Sequence, residues 1–348
     1  MFTLNEASKD TKKLLKLGAL FLAFIVFSFI LIKIAIIVKG MLFPAPPPKA
    51  ASLFGQLPKQ VFPQNSQNQN FSYSVNTLTG FLPGMPTVAN VYRMQITRPT
   101  LLGVSKFQDK IAVMGFPRNY VAISDVIFEW QLNSAGLIKT LRGNTITGNF
   151  SITSPYLSDP NILIGKNTPN QTMALKIVSD MFSRMNLITP DLDLTKTRVN
   201  LFSLKNGVFS PATSISTAQA IEVNYYQKDI DKLPIYYEKP NSSNINALVA
   251  GGNAPQIVSA SYFLQIPSSE VSTYTLKSAP QALEDLKQGN GYIASYDGTS
   301  SNISINNVIL AYYIGSQAQD FLMPIFVFTG NDNFYAYVWA VTDELISK

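Results

Sequence analysis

The feature that most constrains this chain is an apolar run near its N-terminus, "LGALFLAFIVFSFILIKIAIIV", Leu17–Val38, in which Lys33 is the only charged residue. As an α-helix, its 22 residues span about 33 Å, which matches a bilayer core of about 30 Å. A secretory signal has an apolar region of only about 7–15 residues. The run therefore predicts an uncleaved transmembrane anchor embedded in the lipid bilayer, with the Lys33 ammonium reaching the far interface. A buried helix of a soluble protein is the alternative.

The charges on either side of the run predict its orientation. Four lysines lie within residues 1–16, whereas only Lys39 and Lys49 follow the run closely. Positively charged flanks stay on the cytoplasmic side of a membrane. We therefore expect residues 1–16 to be a cytoplasmic tail and residues 17–38 to be the anchor in the cell membrane. The C-terminal part would then form an ectodomain outside.

The composition excludes several classes of function. The chain contains no cysteine and no histidine, so disulfides, thiolate chemistry and imidazole general bases are ruled out. Its net charge is +6, of which +4 belongs to residues 1–40, leaving +2 for the remaining 308 residues. A nucleic-acid-binding domain needs a concentrated cationic face. We therefore expect no nucleic-acid partner and no cofactor.

The rest of the chain divides into four predicted segments. Residues 39–86 are rich in Pro, Gln and Asn and predict an extended stalk, although Leu53, Phe54, Leu57 and Phe62 are candidates to dock on the ectodomain. Three α+β units follow at residues 87–165, 166–270 and 271–348. In each, a short helix precedes strands, which predicts an α+β fold with antiparallel sheets, each packed with a short helix.

Local signals support these elements. The first helix ends at Gly115, and the third, Ala279–Gln288, ends at Gly289, a typical C-cap. The second helix lies in "TPNQTMALKIVSDMFSRMNLI", and its spacing predicts that Met173, Ile177, Met181 and Phe182 are buried. Asn206-Gly207 is a strong hairpin signal.

The last strands are unusually aromatic. In "FYAYVWAV" the side chains of Tyr335, Tyr337 and Trp339 alternate with those of Phe334, Ala336 and Val338, and Tyr312-Tyr313 ends an earlier strand. Alternation puts the two sets on opposite faces of a sheet. The tyrosines either pack on the sheet with their hydroxyls in water or form a groove for a protein partner. The candidate partner-binding aromatics are Tyr312, Tyr313, Tyr335, Tyr337 and Trp339.

The C-terminal unit resembles the PepSY-type module, in which a helix of the form A-x-x-x-L-x-x-G precedes strands with a Tyr-Tyr pair, a Pro-aromatic strand and a final strand. The matching positions are Ala282, Leu286, Gly289, Tyr312, Tyr313, Pro324, Phe326 and Tyr337. This arrangement is similar to membrane-anchored extracytoplasmic regulators of a cell-wall histidine kinase in Firmicutes. The resemblance implies a non-catalytic binding or regulatory ectodomain.

The whole chain also resembles uncharacterised membrane-anchored proteins of candidate-phyla bacteria, which share a "GF … Y.W … L … TGNF" unit. The positions that carry this second resemblance are Gly115, Phe116, Phe128, Trp130, Leu141 and Gly148 to Phe150.

Catalytic and metal motifs are weak. Asp191 and Asp193 look like the start of a calcium loop, but Lys196 stands where that loop needs glycine, so a capped turn is expected and no metal. Glu284 and Asp285 are expected on a solvated helix face. No catalytic residue is predicted, although an enzyme that uses only two carboxylates, such as a glycosidase, is a third hypothesis.

Two functions from different classes fit these observations. The first is a single-pass extracytoplasmic protein that binds another envelope protein as a tether, inhibitor or sensor partner. The second is a structural subunit of a cell-envelope assembly, with the aromatic strands packed between copies in a homo-oligomer.

Overall fold

The computed structural model of the chain describes residues 17–18, 21–22, 24–34, 50–64, 71–205 and 207–347. Residues 24–34 form helix α1, and their apolar side chains are almost all exposed. Leu17 and Lys33 are helical and exposed, whereas Val38 and the predicted cytoplasmic tail lie outside the described residues. Within these ranges, no helix has the length and apolar content that crossing a bilayer requires.

Residues Lys49–Lys348 form one compact unit built mainly from strands. The strands are β1 Ser72–Val75, β2 Val88–Met94, β3 Val121–Ala122, β4 Ile127–Ser134, β5 Leu137–Asn144, β6 Phe150–Thr153, β7 Leu192–Lys205, β8 Val208–Pro211, β9 Ala220–Gln227, β10 Ile235–Tyr236, β11 Ile245–Ala250, β12 Gln256–Tyr262, β13 Pro267–Thr275, β14 Tyr292–Ser295, β15 Asn302–Tyr313, β16 Phe321–Gly330 and β17 Phe334–Trp339. The helices are α2 Gly103–Ala112, α3 Pro160–Leu163, α4 Gln171–Arg184 and α5 Ala279–Lys287. The prediction of an α+β fold with antiparallel sheets and few helices is confirmed.

Nine strands form one antiparallel sheet in the order β3-β4-β5-β6-β12-β11-β9-β7-β8. Helices α2 and α4 contribute Phe107, Ile111, Val178 and Phe182 to the core on one face of this sheet. Strand β6 pairs with β12, so the boundary predicted between residues 165 and 166 falls inside a single sheet. Residues of both halves contribute to one core.

The α4 prediction was partly wrong. The helix begins after Asn170, whose side chain accepts a hydrogen bond from the Met173 amide, and it buries Val178, Met181 and Phe182. Met173 itself is 46% exposed. The apolar stripe is therefore rotated by one residue toward Ala174, because the sheet meets the face that Ala174 and Val178 share.

The other sheet has eight strands, with the path β1-β15-β16-β17-β14 at its centre. β1 and β10 pair with β15 in parallel, and the remaining pairs are antiparallel. Helix α5 packs on one face and begins with a capping box between Ser278 and Gln281. Gly289 follows the helix at φ +81°, as expected for a C-cap.

The predicted stalk was wrong for the residues that the structure describes. Leu57 is fully buried, and its backbone forms a β-bridge with Ile346. Strand β1, which also lies within the range predicted as stalk, pairs with β15. Phe54 and Phe62 also pack on the body, but Leu53 is 77% exposed. The Pro- and Gln-rich composition favours an extended segment in water, but burying these apolar side chains on the sheet lowers the free energy more.

The chain passes between the two sheets four times, after β2, β9, β10 and β12. A joint between the sheets buries Tyr226 from one sheet against Tyr312 and Leu322 from the other. Asp231 lies at this joint and accepts hydrogen bonds from Asn90 at 2.8 Å and from the Tyr92 hydroxyl at 2.7 Å. The two sheets therefore hold each other in place.

Candidate functional site

The five predicted partner-binding aromatics do not share one surface. Tyr335, Tyr337 and Trp339 lie on one face of β17 and Phe334, Ala336 and Val338 on the other, as the alternation predicted. Tyr312 points instead into the joint between the sheets, where its hydroxyl donates to the Asn90 carbonyl at 2.9 Å. Tyr312, Tyr313 and Tyr337 are buried in this structure, whereas Tyr335 and Trp339 are partly exposed.

A cluster of rings surrounds Phe62, and we call its four members the aromatic cage: Tyr292, Tyr313, Tyr337 and Trp339. The Phe62 ring stacks on Trp339 with centroids 4.3 Å apart and planes at 10°. It meets Tyr313 edge-on at 5.1 Å and stacks on Tyr292 at 5.7 Å. These are favourable aromatic geometries. The aromatic face that the sequence predicted is therefore covered by a residue from the predicted stalk.

Two hydroxyls of the cage have unusual surroundings. Those of Tyr313 and Tyr337 are buried, and neither has a hydrogen-bond partner among the residues described. Burial raises the pKa of both phenols, and the nearby Glu238 carboxylate raises that of Tyr313 further. Both stay neutral across the physiological range. Buried polar groups in proteins are nearly always paired, so the cage keeps hydrogen-bonding capacity that Phe62 does not use.

A cavity of about 750 Å³ lies between the two sheets, and we call it the inter-sheet cleft. One wall comes from β7 and β8 and the other from β14 and the turns beside it. Its polar lining includes Asn200, Glu222, Lys239, Asn241, Ser242, Ser295, Asp297 and Asn333, and its aromatic lining includes Phe202, Phe209 and Tyr296. A volume of this size is typical of ligand sites.

Two carboxylates line the cleft without a cation beside them. Glu222 accepts hydrogen bonds from the amides of Asn200 at 3.1 Å and Asn224 at 2.8 Å. Asp297 accepts from Asn333 at 3.0 Å. In the described part of the chain, neither carboxylate has a lysine or arginine nitrogen within 4.0 Å. The cleft thus presents amide, hydroxyl and carboxylate groups to a polar ligand.

A smaller cavity of about 520 Å³ follows β7 toward its start and shares Asn241 with the cleft. There the Arg198 guanidinium lies 5.7 Å from the Tyr226 ring centroid and donates to Asn241 Oδ1 at 3.1 Å. Burial raises the pKa of Tyr226 to about 12, with a smaller opposing effect of Arg198. Cation–π contact and the amide hold Arg198 in place.

The acidic pairs found in the sequence have structural roles. Asp193 accepts hydrogen bonds from the backbone and side chain of Thr195 where the pairing of β7 is irregular, so it lies inside a strand and not in the expected capped turn. Asp285 is not on a solvated face, because it contacts the Lys277 ammonium at 2.6 Å, as does Asp343. No group of three or more acidic side chains that could hold a metal occurs within the described ranges.

The inter-sheet cleft was not predicted from the sequence. Asn200 and Glu222 stand at solvent-side positions of β7 and β9, where polar residues are expected in any half-exposed sheet. Asp297 and Asn333 lie in turns, where Asp and Asn are common. No local pattern separates these residues from ordinary surface residues, since the two walls come together only through the pairing of the sheets.

Solved structures include a distant likeness to this chain. No protein-family model matches the chain, and no curated protein does. The chain is similar to the crystal structure of an uncharacterized protein from Eubacterium rectale ATCC 33656, at 12% identity over 74% of this chain and 84% of that chain, with a TM-score of 0.30.

Proposed function

We propose that this chain is a single-pass membrane protein whose extracytoplasmic body binds another envelope protein in the inter-sheet cleft, as a tether, inhibitor or sensor partner. The proposal includes an anchor at residues 17–38 and a cytoplasmic N-terminus. It assigns the body no chemistry of its own. The observation that carries it is the cleft of about 750 Å³, walled by both sheets and lined with amides, hydroxyls and aromatic rings.

The anchor is supported by the exposed apolar side chains of α1, which include Phe24, Ile25, Phe29 and Ile32. A row of exposed large apolar side chains is costly in water and favourable in lipid. The orientation is supported by the lysines of residues 1–16.

We also propose that residues 271–348 are a PepSY-like unit. Its support is the order helix α5, then β14 to β17, with Ala282 and Leu286 of the sequence pattern buried against the sheet. A regulatory partner is the role that this resemblance implies.

The cleft is tested by placing a photo-crosslinking residue at Ser242 or Ser295, both of which line it. In intact cells we expect each position to give the same adduct with one envelope protein. Ile138 is the control, since it is exposed on β5 and does not line the cleft. Equal adducts from all three positions, or none from the cleft positions, would contradict the proposal.

The crosslinking experiment also tests the first rival function, and a hydrolysis assay tests the second. An adduct between two copies of this chain would replace the proposal with a structural subunit that assembles with itself. Glycan hydrolysis by the purified chain that disappears in both Glu222→Gln and Asp297→Asn would replace it with a carboxylate enzyme.

Topology has its own measurement: protease added to intact cells should digest the body without prior lysis.

A further inference from the structure

Phe62 reaches the aromatic cage on a short arm, which we define as residues 58–64. The residue before the arm is firmly held: the Leu57 amide donates to the Leu345 carbonyl at 2.8 Å, and the Ser347 amide donates to the Leu57 carbonyl at 2.8 Å. The arm itself has no helical or strand structure. It therefore starts from a fixed point on the body and projects across the cage.

Few contacts hold the arm on the body. The backbone of residues 58–64 makes no backbone–backbone hydrogen bond with any described residue. The Gln60 side chain donates to the Phe321 carbonyl and accepts from Gln319 at 2.9 Å. Val61, next to Phe62, is 81% exposed. Segments with few bonds and exposed neighbours open locally at low cost, so the arm can leave without disturbing a strand.

The cage, by contrast, belongs to the sheet. Tyr313 ends β15, Tyr337 and Trp339 lie on β17, and Tyr292 begins β14. These strands are paired in register with their neighbours, and the rings contact one another as well as Phe62. Removal of Phe62 therefore leaves an open apolar site with its walls in place, together with the unpartnered hydroxyls of Tyr313 and Tyr337.

We propose that the aromatic cage is a binding site for an aromatic side chain on an extended segment of a partner protein, and that Phe62 is the intramolecular occupant that blocks it. The partner's side chain takes the position of the Phe62 ring and makes the same stacked and edge-on contacts. The assignment of a protein as the natural occupant rests on the proposed binding function. The intramolecular block does not.

The present occupant indicates the chemistry of the ligand. A flat ring fits this site, because the planes of the Trp339 and Tyr292 rings both lie within 16° of the plane of the Phe62 ring. Phenylalanine has no polar atom for the two buried hydroxyls, whereas tyrosine has a hydroxyl that is able to pair with one of them. A partner segment with a central tyrosine therefore binds more tightly than one with phenylalanine, and one with leucine binds least.

The cage contains its own reporter. The chain has two tryptophans, and Trp130 is fully buried in the other sheet. In a full-length Trp130→Phe background, Trp339 becomes the only tryptophan of the chain. We expect Phe62→Ala to increase acrylamide quenching of Trp339, because losing the ring that stacks on Trp339 exposes its indole to the quencher. Val61→Ala, a matched change beside the ring, should leave the quenching unchanged.

The probe for the open cage is a peptide that copies residues 57–64, LPKQVFPQ. We expect it to bind the Phe62→Ala chain, restore the protection of Trp339 and bind wild type about 10-fold more weakly, as for an arm docked about nine-tenths of the time. Replacing phenylalanine in the peptide by alanine should abolish binding, and replacing it by tyrosine should strengthen binding. Gln60→Ala keeps the ring but loosens the arm, and gives an intermediate affinity.

Specific results would overturn the inference. These are equal quenching in wild type and Phe62→Ala, equal affinity of the alanine and phenylalanine peptides, or a dimer formed by exchange of arms between copies. Near-ultraviolet circular dichroism of each variant establishes that the body is folded. No natural partner enters this experiment, so its failure leaves the cleft untouched, and failed crosslinking in the cleft leaves the cage untouched.

Discussion

The two faces of the eight-stranded sheet are built by the same strands but are covered in different ways. The helix face, which includes Phe326, Phe328, Phe334 and Val338, is sealed by α5 and contains no unpartnered polar atom among those described. The tyrosine face, which includes Tyr313, Tyr337 and Trp339, is covered by an arm with no backbone hydrogen bonds to described residues.

The two coverings give one sheet both a stable face and a face that can bind. A capped helix and a set of large apolar side chains make a permanent seal, since removing the seal exposes the whole core. The single Phe62 ring on an irregular segment makes a reversible seal. We therefore expect the helix face to carry the stability of this sheet and the tyrosine face to be available for exchange.

The largest expected effect compares one truncation on each face. Phe326→Ala should lower the free energy of unfolding by about 3–5 kcal/mol, because Phe326 is fully buried and its loss leaves a cavity. Phe62→Ala should cost about 1 kcal/mol, since that ring is only half-buried. Urea denaturation measures both. Equal losses would mean that the tyrosine face is as structural as the helix face.

The pH dependence of stability comes next. Burial raises the pKa of Tyr313 and Tyr337 above the value of about 10 for an unfolded chain. Their contribution to the free energy of unfolding is complete below about pH 10, and it is lost above that pH because the phenols of the unfolded chain ionise there. From about pH 10 to 11, wild type should lose about 2 kcal/mol more than the Tyr313→Phe/Tyr337→Phe double variant. Parallel pH profiles would contradict this role of the tyrosine face.

The smallest effect compares adjacent tyrosines that point in opposite directions. Tyr312→Phe removes a hydroxyl that bonds to the Asn90 carbonyl and lies 3.2 Å from Asp231, and should cost about 1 kcal/mol. Tyr313→Phe removes a hydroxyl without a described partner, and should be neutral or stabilise by up to about 1 kcal/mol. The two variants are a matched pair, and thermal unfolding measures the stability of each. A cost for Tyr313→Phe would reveal a hydrogen-bond partner for its hydroxyl.

Parts of the fold could be predicted because their signals are local. The alternation of Phe334 to Trp339 defined two faces. The ends of α5 are marked by Ser278 and Gln281 at its start and by Gly289 after its last turn. Leu57 and Phe62 could be named as candidates to dock because they are apolar residues in a polar segment, but the surface that each one covers could not be predicted without the sheet that buries them. The cleft could not be predicted for the same reason, since Glu222 and Asp297 come from different sheets.

The strand and helix periods, the apolar N-terminal run and the absence of imidazole and thiol chemistry can be read from the sequence, because each depends only on residue type and spacing. The three-dimensional fold was needed to show that two predicted units share one sheet, that Tyr312 and Tyr313 have different environments, and that Phe62 fills the cage. These features depend on pairing between residues far apart in the chain, such as Phe62 and Trp339, and spacing along the sequence carries no information about such pairs.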